Sequence, residues 1–348
     1  MNEYLKELRD SARQVIAGTG TPADEDKSWP LVVELGWLLA SVPEELDGLG
    51  LGLEGACTLH TELGRGLAGA PLLPATMALD ALCRGAPTDI SSWLGRLTAG
   101  ELATAPLVEP ELSLEDTGTG LALTGLVPVV QSADRAGHVL VWTSDADCVA
   151  LVSLEQAGVQ VAARPTWDVT RRVFDLRLDK VAVDGQLTLA RGAAARALVA
   201  RLQTLRDFSL AADSLGGAAA LLEMTVEHLQ TRQQFGRPLA LFQALKHRCA
   251  DLKTQLAGAE ALLDDSLART GDRVGEPEAQ LRGQKAGYLA CSVFSMVAEE
   301  ALQLHGGIGM AAEHPCHFFL KRAMLNEHLG TREHGYERMI ADSFLAGT

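Results

Sequence analysis

Through the first hundred positions apolar residues recur at steps of three and four. In MNEYLKELRDSARQVIAG they fall at Tyr4/Leu5, Leu8, Ala12 and Val15/Ile16. One face of a 3.6-residue helix collects such positions, so the spacing predicts a helix. SWPLVVELGWLLASV reads as a second helix entered through Pro30, and LEGACTLHTELGRGL and LPATMALDALCRG as a third and fourth. The glycine-rich PEELDGLGLG between the second and third reads as a loop.

From about residue 101 the period changes. LALTGLVPVVQSA, HVLVWTS, CVALVSL, GVQVAARP and RVFDLRLDKVAV are short β-favouring runs separated by Gly, Asp and Pro signals. No helical pattern lies between them, which predicts antiparallel pairing and not βαβ units. The last run alternates over its first half, so one face is expected to be solvated. From about residue 191 the helical spacing returns. Leu202, Leu205, Phe208, Ala212, Leu215, Ala219, Leu222, Val226 and Leu229 sustain steps of three and four in one long helix. A second runs from about Gln243 into the 260s. After the loop GDRVGEPEA, a third covers EAQLRGQKAGYLACSVFSMVAEEALQLHGG. Antiparallel helices of this length make a four-helix bundle. The expected fold is therefore α+β and mostly α: an N-terminal helical domain (1–100), a central antiparallel β domain (101–190) and a C-terminal helical bundle (191–348).

Charge removes some classes of partner. The net charge of −15 and pI of about 5.0 supply no positive field for nucleic acid or anionic membranes. The six cysteines form no CxxC pair and sit mostly in apolar runs, so buried reduced thiols are expected. The N-terminus lacks a signal-peptide core and no 18-residue apolar span occurs, which leads to the expectation of a soluble, cytoplasmic protein. The nine histidines form no metal set in the sequence. His305 and His314 flank a glycine loop with no Asp or Glu at ligand spacing, so solvated or capping roles are expected and no metal is assigned.

Two stretches carry candidate chemistry. RQQFGRPLALFQ, Arg232 to Gln243, stands where the first long helix stops at Gly236 and Pro238. It is either an inter-helix loop whose Phe235 and Phe242 plug the core, or a site where Arg232 takes a phosphate bidentately while an aromatic and an amide face a planar ring. In QLHGGIGM, residues 303–310, adjacent glycines end a helix and let backbone N–H groups approach a diphosphate. No strand precedes these glycines, so they are not a dinucleotide-fold fingerprint.

Together with GWLLASVPEELDGLGLGLEGACTLHTELGRGL and ALQLHGGIGMAAEHPCHFFLKRA, these stretches resemble the acyl-CoA dehydrogenases over essentially the whole chain. The resemblance is strongest to a short bacterial branch that often works on steroid-type acyl-CoAs and often pairs unlike subunits. It implies FAD as cofactor and an acyl-CoA as substrate. It also implies either a second acyl-CoA dehydrogenase-like subunit in an α2β2 assembly or a homo-oligomer, and an electron-accepting flavoprotein. Arg232, Gln234 and Phe235 resemble residues that hold the FAD pyrophosphate and adenine across a subunit interface. Phe242 and Gln243 resemble the adenine-side pocket, Gln303, Gly306 and Gly307 the loop that receives a neighbour's FAD, and Thr331 a further contact. In such enzymes a carboxylate removes the α-proton while hydride leaves the β-carbon for the flavin.

That carboxylate is missing where the family usually carries a Glu before Gly-Thr: the position is Leu329. Glu327 lies two residues earlier and is either a shifted base or part of a solvated helix face, the second being the expectation. The family's other location, counted back from Phe235-Gly236, holds Arg206 and Asp207. Asp207 is the remaining candidate base; it is otherwise paired with Arg206 or favoured by a helix N-terminus. In the middle domain only Glu109-Pro110 of the usual flavin-side motif survives, and Ser132 is the residue expected to reach the flavin. The first reading is a dehydrogenase subunit; the second is a non-catalytic subunit that completes a partner's FAD site.

Overall fold

The computed structural model describes residues 3–85, 89–118, 120–330 and 333–346. Helices α1 (Glu3–Ala17), α2 (Glu25–Glu34), α3 (Gly52–Arg65), α4 (Leu72–Arg84) and α5 (Ile90–Thr98) form the first region. The second helix starts at Glu25, before the expected entry at Pro30, because the Asp24 side chain caps it by accepting the Asp26 N–H. Pro30 lies inside this helix. The chain leaves it at Gly36, whose φ of +67° suits glycine. Helix α5 is too short for a sustained periodicity; Asp89 caps it by accepting the Ser92 N–H.

The middle region is two four-stranded sheets. Its strands are β1 (Ala103–Thr104), β2 (Glu111–Asp116), β3 (Leu121–Gln131), β4 (His138–Trp142), β5 (Cys148–Ser153), β6 (Val159–Ala163), β7 (Val173–Ala182) and β8 (Thr188–Arg191). The orders are β1-β4-β5-β8 and β2-β3-β7-β6. Every pairing is antiparallel except β1 with β4. Leu112, Leu123, Val127, Val139, Val152 and Leu176 fill the space between the sheets. Strand β2 adds to the runs read from sequence; its polar ELSLED segment alternates around the buried Leu112.

The last region holds α6 (Gly192–Thr231), a hairpin of β9 (Gln233–Gln234) and β10 (Arg237–Pro238), α7 (Gln243–Thr270), α8 (Pro277–His305), α9 (Cys316–Asn326) and α10 (Glu333–Ala346). Three helices are long, and α9 and α10 pack against them. Helices α3 and α6 meet backbone to backbone. A Cβ at Gly216 would lie 1.9 Å from the Thr61 carbonyl oxygen, and one at Gly64 2.1 Å from that of Asp213. Glycine is therefore required at this crossing. All six cysteines are free, with Cys57, Cys148, Cys291 and Cys316 buried. Among the described residues no helix is long and apolar enough to cross a membrane.

Candidate functional site

The residues singled out by sequence fall in two places. The first is the buried seam where β domain, α6 and the segment after α9 meet. Leu329 is 1% exposed there, and the Gly330 N–H donates to the Leu107 carbonyl at 2.7 Å. Asp207 sits in the same seam and is buried. Its Oδ1 accepts from Arg206 Nε at 3.2 Å and from the Tyr336 hydroxyl of α10 at 3.0 Å. Arg206 is fully buried and donates from Nη1 to Glu109 at 2.8 Å. Glu109 also accepts from Trp142 Nε1 and Gln203 Nε2. Burial pushes the Asp207 carboxyl up from the ordinary range against the pull of Arg206 and Tyr336. A raised carboxyl suits a base, but this one has no room for a substrate: a Cβ at Gly330 would lie 3.0 Å from its Oδ1 and 2.7 Å from the Tyr336 hydroxyl. Glu327 is half-buried and caps the end of α9.

Deeper in the seam a second network locks the three regions together. Arg322, fully buried on α9, donates to Asp168 at 2.9 Å, to Asp213 at 3.3 Å, to the Ala68 carbonyl at 3.3 Å and to Thr170. Arg171 pairs with Asp213 at 2.8 Å and donates to Asn326 at 2.8 Å. Asn326 in turn donates to Asp213 and Ser214. Burial works against the Asp213 charge, yet Arg171 and Arg322 hold its carboxyl below the ordinary range. Ser132, expected at the flavin, lies at the edge of this network. It is fully buried with φ +55°, and its hydroxyl donates to Glu25 at 3.0 Å. Glu25 is held from the other side by Arg172 through Nε and Nη2, both at 3.1 Å. Most polar side chains at this seam hydrogen-bond one another, while Arg206 Nη2 and His60 Nε2 are buried without a hydrogen-bond partner.

The second place is the tip of the bundle where α6 and α8 end. The His228 and His305 rings stack 4.6 Å apart, which brings the Arg232 hairpin beside the Gln303–Gly307 loop. Phe235 and Gly236 take φ +53° and +76° at the turn of the β9–β10 hairpin, where Arg237 pairs with Gln234. The Phe235 ring is 91% exposed, so it does not plug the core. An aromatic held outward at positive φ costs roughly 1 kcal/mol or more of backbone strain. Phe242 is half-buried, edge-on to Phe235 at 6.1 Å, with the Arg237 guanidinium 4.1 Å over its ring. Arg232, Gln234, Gln243 and Gln303 are exposed, and none spends a side-chain hydrogen bond on another described residue. Gly306 ends α8 at φ +63°, ψ −145°, and a Cβ on Gly306 or Gly307 would meet nothing within 4 Å. Exposed Ile308, Met310 and Leu241 surround these groups. The tip therefore offers a cation, free amides, a bare glycine backbone and an aromatic ring to something outside the chain. That set, through its guanidinium and glycine backbone, fits the phosphates and planar end of a dinucleotide. Thr331, expected to add a contact, lies outside the described residues.

Sequence reasoning missed Tyr336, Glu25 and Cys316, which lies against His305 with Sγ 3.8 Å from Nδ1. His305 itself is buried and not solvated. Their partners are far away in the chain or fall outside recognised ligand spacings, and no local signal marks them.

A helical region, a β domain and a long-helix bundle, with an aromatic-arginine hairpin beside a glycine helix stop, set the class of fold. Comparison makes it specific. The acyl-CoA dehydrogenase N-terminal domain model matches residues 2–101 and the C-terminal domain model residues 194–342. Acyl-CoA dehydrogenase IpdE2 of Mycobacterium tuberculosis is 31% identical over 92% of this chain and 91% of its own length. The ChsE4-ChsE5 complex from Mycobacterium tuberculosis superposes with a TM-score of 0.89 at 27% identity, covering 100% of this chain and 98% of the matched one. The Tcur3481-Tcur3483 steroid ACAD gives 0.86 at 26% identity, covering 99% and 98%. The chain belongs to the acyl-CoA dehydrogenase family of oxidoreductases.

Proposed function

We propose that this chain is one subunit of a heteromeric, FAD-dependent acyl-CoA dehydrogenase that desaturates a bulky, steroid-type acyl-CoA at its α,β bond. Its tip completes the FAD site of a neighbouring, unlike subunit. The observation that carries this reading is the pairing of an exposed, unspent Arg232–Phe235–Gln303–Gly307 surface with a seam closed on itself. Two relatives point the same way: one solved neighbour is a two-protein complex and another is a steroid ACAD.

FAD, when bound, takes up the hydride released from the acyl β-carbon. This chain's share is to hold and orient. Arg232 would hold phosphate oxygens as a planar fork. The bare backbone at Gly306 and Gly307 would admit close approach, and Phe235 would offer its ring to a planar group. Removal of the α-proton falls to the partner, because Leu329 has no basic atom and Asp207 is enclosed by Arg206, Tyr336 and Gly330.

The test is to purify the chain alone and together with a candidate unlike acyl-CoA dehydrogenase subunit, then record flavin absorbance and its bleaching by acyl-CoA. The expected result is colourless protein alone and a yellow complex that bleaches. Arg232→Ala should strip flavin from the complex, whereas Asp207→Asn should leave turnover in place. A yellow single chain that bleaches, and stops bleaching as Asp207→Asn, would sink this reading and make Asp207 the base.

A further inference from the structure

Arg237 is the second cation on the tip hairpin, and it is exposed. Two cations farther along α7 are paired, Arg248 with Glu300 and Lys253 with Glu260 at 3.7 Å. Arg237 has no hydrogen bond or ion pair among the described residues. Its guanidinium lies instead 4.1 Å over the Phe242 ring, whose face carries partial negative charge. Phe242 is fixed through its backbone. It stands immediately before α7, and its carbonyl accepts the Leu245 and Lys246 N–H groups at 3.1 and 3.2 Å. Its ring then meets Phe235 at a centroid distance of 6.1 Å, with the planes at 73°. Ring quadrupoles favour that edge-on arrangement. Phe235 has little else to hold it. It is 91% exposed, at φ +53°, on the turn of a hairpin with two residue pairs, Gln234 with Arg237 and Gln233 with Pro238. A ladder that short is marginal in water by itself. At its base the Leu239 N–H donates to the Arg232 carbonyl at 2.9 Å.

We propose that Arg237 is a positioning residue of the tip: it clamps the hairpin to the start of α7 through the Phe242 ring and so holds Phe235 outward at one angle. The three side chains close a loop. Strand β10 carries Arg237, the residue before α7 carries the ring it covers, and that ring meets Phe235 on the turn between the strands. The two arginines of the hairpin then have different tasks. Arg232 has its guanidinium free for a ligand, whereas Arg237 directs its charge at a ring of its own chain. The clamp itself follows from these contacts alone. Its use in cofactor binding rests on the proposed function. A ring already held at its angle loses less freedom when a planar group stacks on it, so the clamp lowers the ordering cost of binding. Without it Phe235 samples other rotamers, and the strained turn relaxes.

The first test needs no cofactor and uses the full chain alone. Chymotrypsin cuts after exposed aromatic residues, and cutting at Phe235–Gly236 requires the tight turn to open. Arg237→Met keeps an aliphatic stem over Phe242 and removes the charge, whereas Arg237→Lys keeps a cation. Cleavage at this bond, followed by mass spectrometry, should be about three- to tenfold faster in Arg237→Met and in Phe242→Leu, and within about twofold of wild type in Arg237→Lys. Wild-type cleavage rates in Arg237→Met, or equal acceleration in Arg237→Lys, overturn the clamp. The second test titrates FAD into the flavin-depleted two-subunit complex. Arg237→Met and Phe242→Leu should each weaken binding about three- to tenfold, and the double variant should bind no more weakly than Phe242→Leu, because Arg237 acts through that ring. A further loss in the double variant would mean that Arg237 meets the cofactor directly, and overturns the positioning role. If Phe242→Leu fails to assemble, Arg237→Met against Arg237→Lys decides, and equal losses overturn it. Arg232→Ala in the same titration separates the two readings. Unchanged FAD affinity there removes the tip from the cofactor site and the positioning role with it. A loss in Arg232→Ala with none in Arg237→Met removes the positioning role alone.

Discussion

Arg322 and Arg232 sit in opposite surroundings within the same bundle. Arg322 is fully buried, and its guanidinium is met by Asp168, Asp213, Thr170 and the Ala68 carbonyl. Arg232 ends α6 in solvent, with no side-chain partner among the described residues. A charge taken out of water must be compensated where it lies, so the seam spends its donors and acceptors internally and welds three regions together. An exposed charge beside a strained aromatic and a bare glycine backbone has no such task. The difference separates residues that keep the subunit folded from residues that face another molecule.

The sharpest way to break this contrast is to remove both arginines in turn. Arg322→Met leaves Asp168 and Asp213 buried with a cation missing and should cost about 3–5 kcal/mol. Arg232→Ala should change stability by no more than about 0.5 kcal/mol. Urea unfolding of the two variants at unchanged m-value measures both. Equal losses would mean that Arg232 is a structural residue and that the tip is not a free surface.

Much of the architecture was legible because helix periodicity and β-favouring runs are local signals. The seam was half legible. Counting back from Phe235-Gly236 leads to Asp207, and its pairing with the adjacent Arg206 is a neighbour effect visible in the chain. Its enclosure is not, since Tyr336 arrives from 129 residues away. The hydrogen-bond partner of Ser132 was hidden for the same reason: Glu25 is 107 residues distant. At the tip the loop composition admitted two readings of Phe235. Only the backbone, with two successive positive φ values across a tight hairpin, turns the ring outward.

His60 probes how dry the seam is. It is buried on α3, its Nε2 has no hydrogen-bond partner, and burial, aided by Arg171 against the pull of Asp213, lowers its pKa from 6.5 to about 4. The folded chain therefore refuses a proton that the unfolded chain accepts. Stability is retained above pH 6.5 and falls as pH drops from there toward 4, by about 3 kcal/mol at full extent. Asp213 acts lower: its folded carboxyl is depressed, so its contribution is lost only as pH falls below the ordinary carboxylate range. The difference in unfolding free energy between wild type and His60→Gln, followed from pH 7 to 4.5, isolates the histidine. A flat difference would show that water reaches His60 and that the seam is not sealed.

The two tip glycines give the smallest effect and the finest discrimination. Gly306 has φ +63°, ψ −145°, a region essentially closed to side chains, so Gly306→Ala should cost about 1–3 kcal/mol whatever binds there. Gly307 has no such backbone constraint, and an added Cβ meets nothing within 4 Å inside the chain. Gly307→Ala should therefore leave the melting temperature of the isolated chain within the range of surface substitutions, about 0.5 kcal/mol. Inside the two-subunit complex the same methyl stands where the cofactor's phosphates would approach the backbone. Overpacking of that kind costs about 1–3 kcal/mol, so flavin affinity should fall by about tenfold or more. Flavin content after gel filtration, compared between wild-type and Gly307→Ala complexes, reads the effect directly. Full flavin retention in a normally assembled Gly307→Ala complex would remove the glycine loop from the cofactor contact and leave the Arg232 hairpin to account for the tip alone.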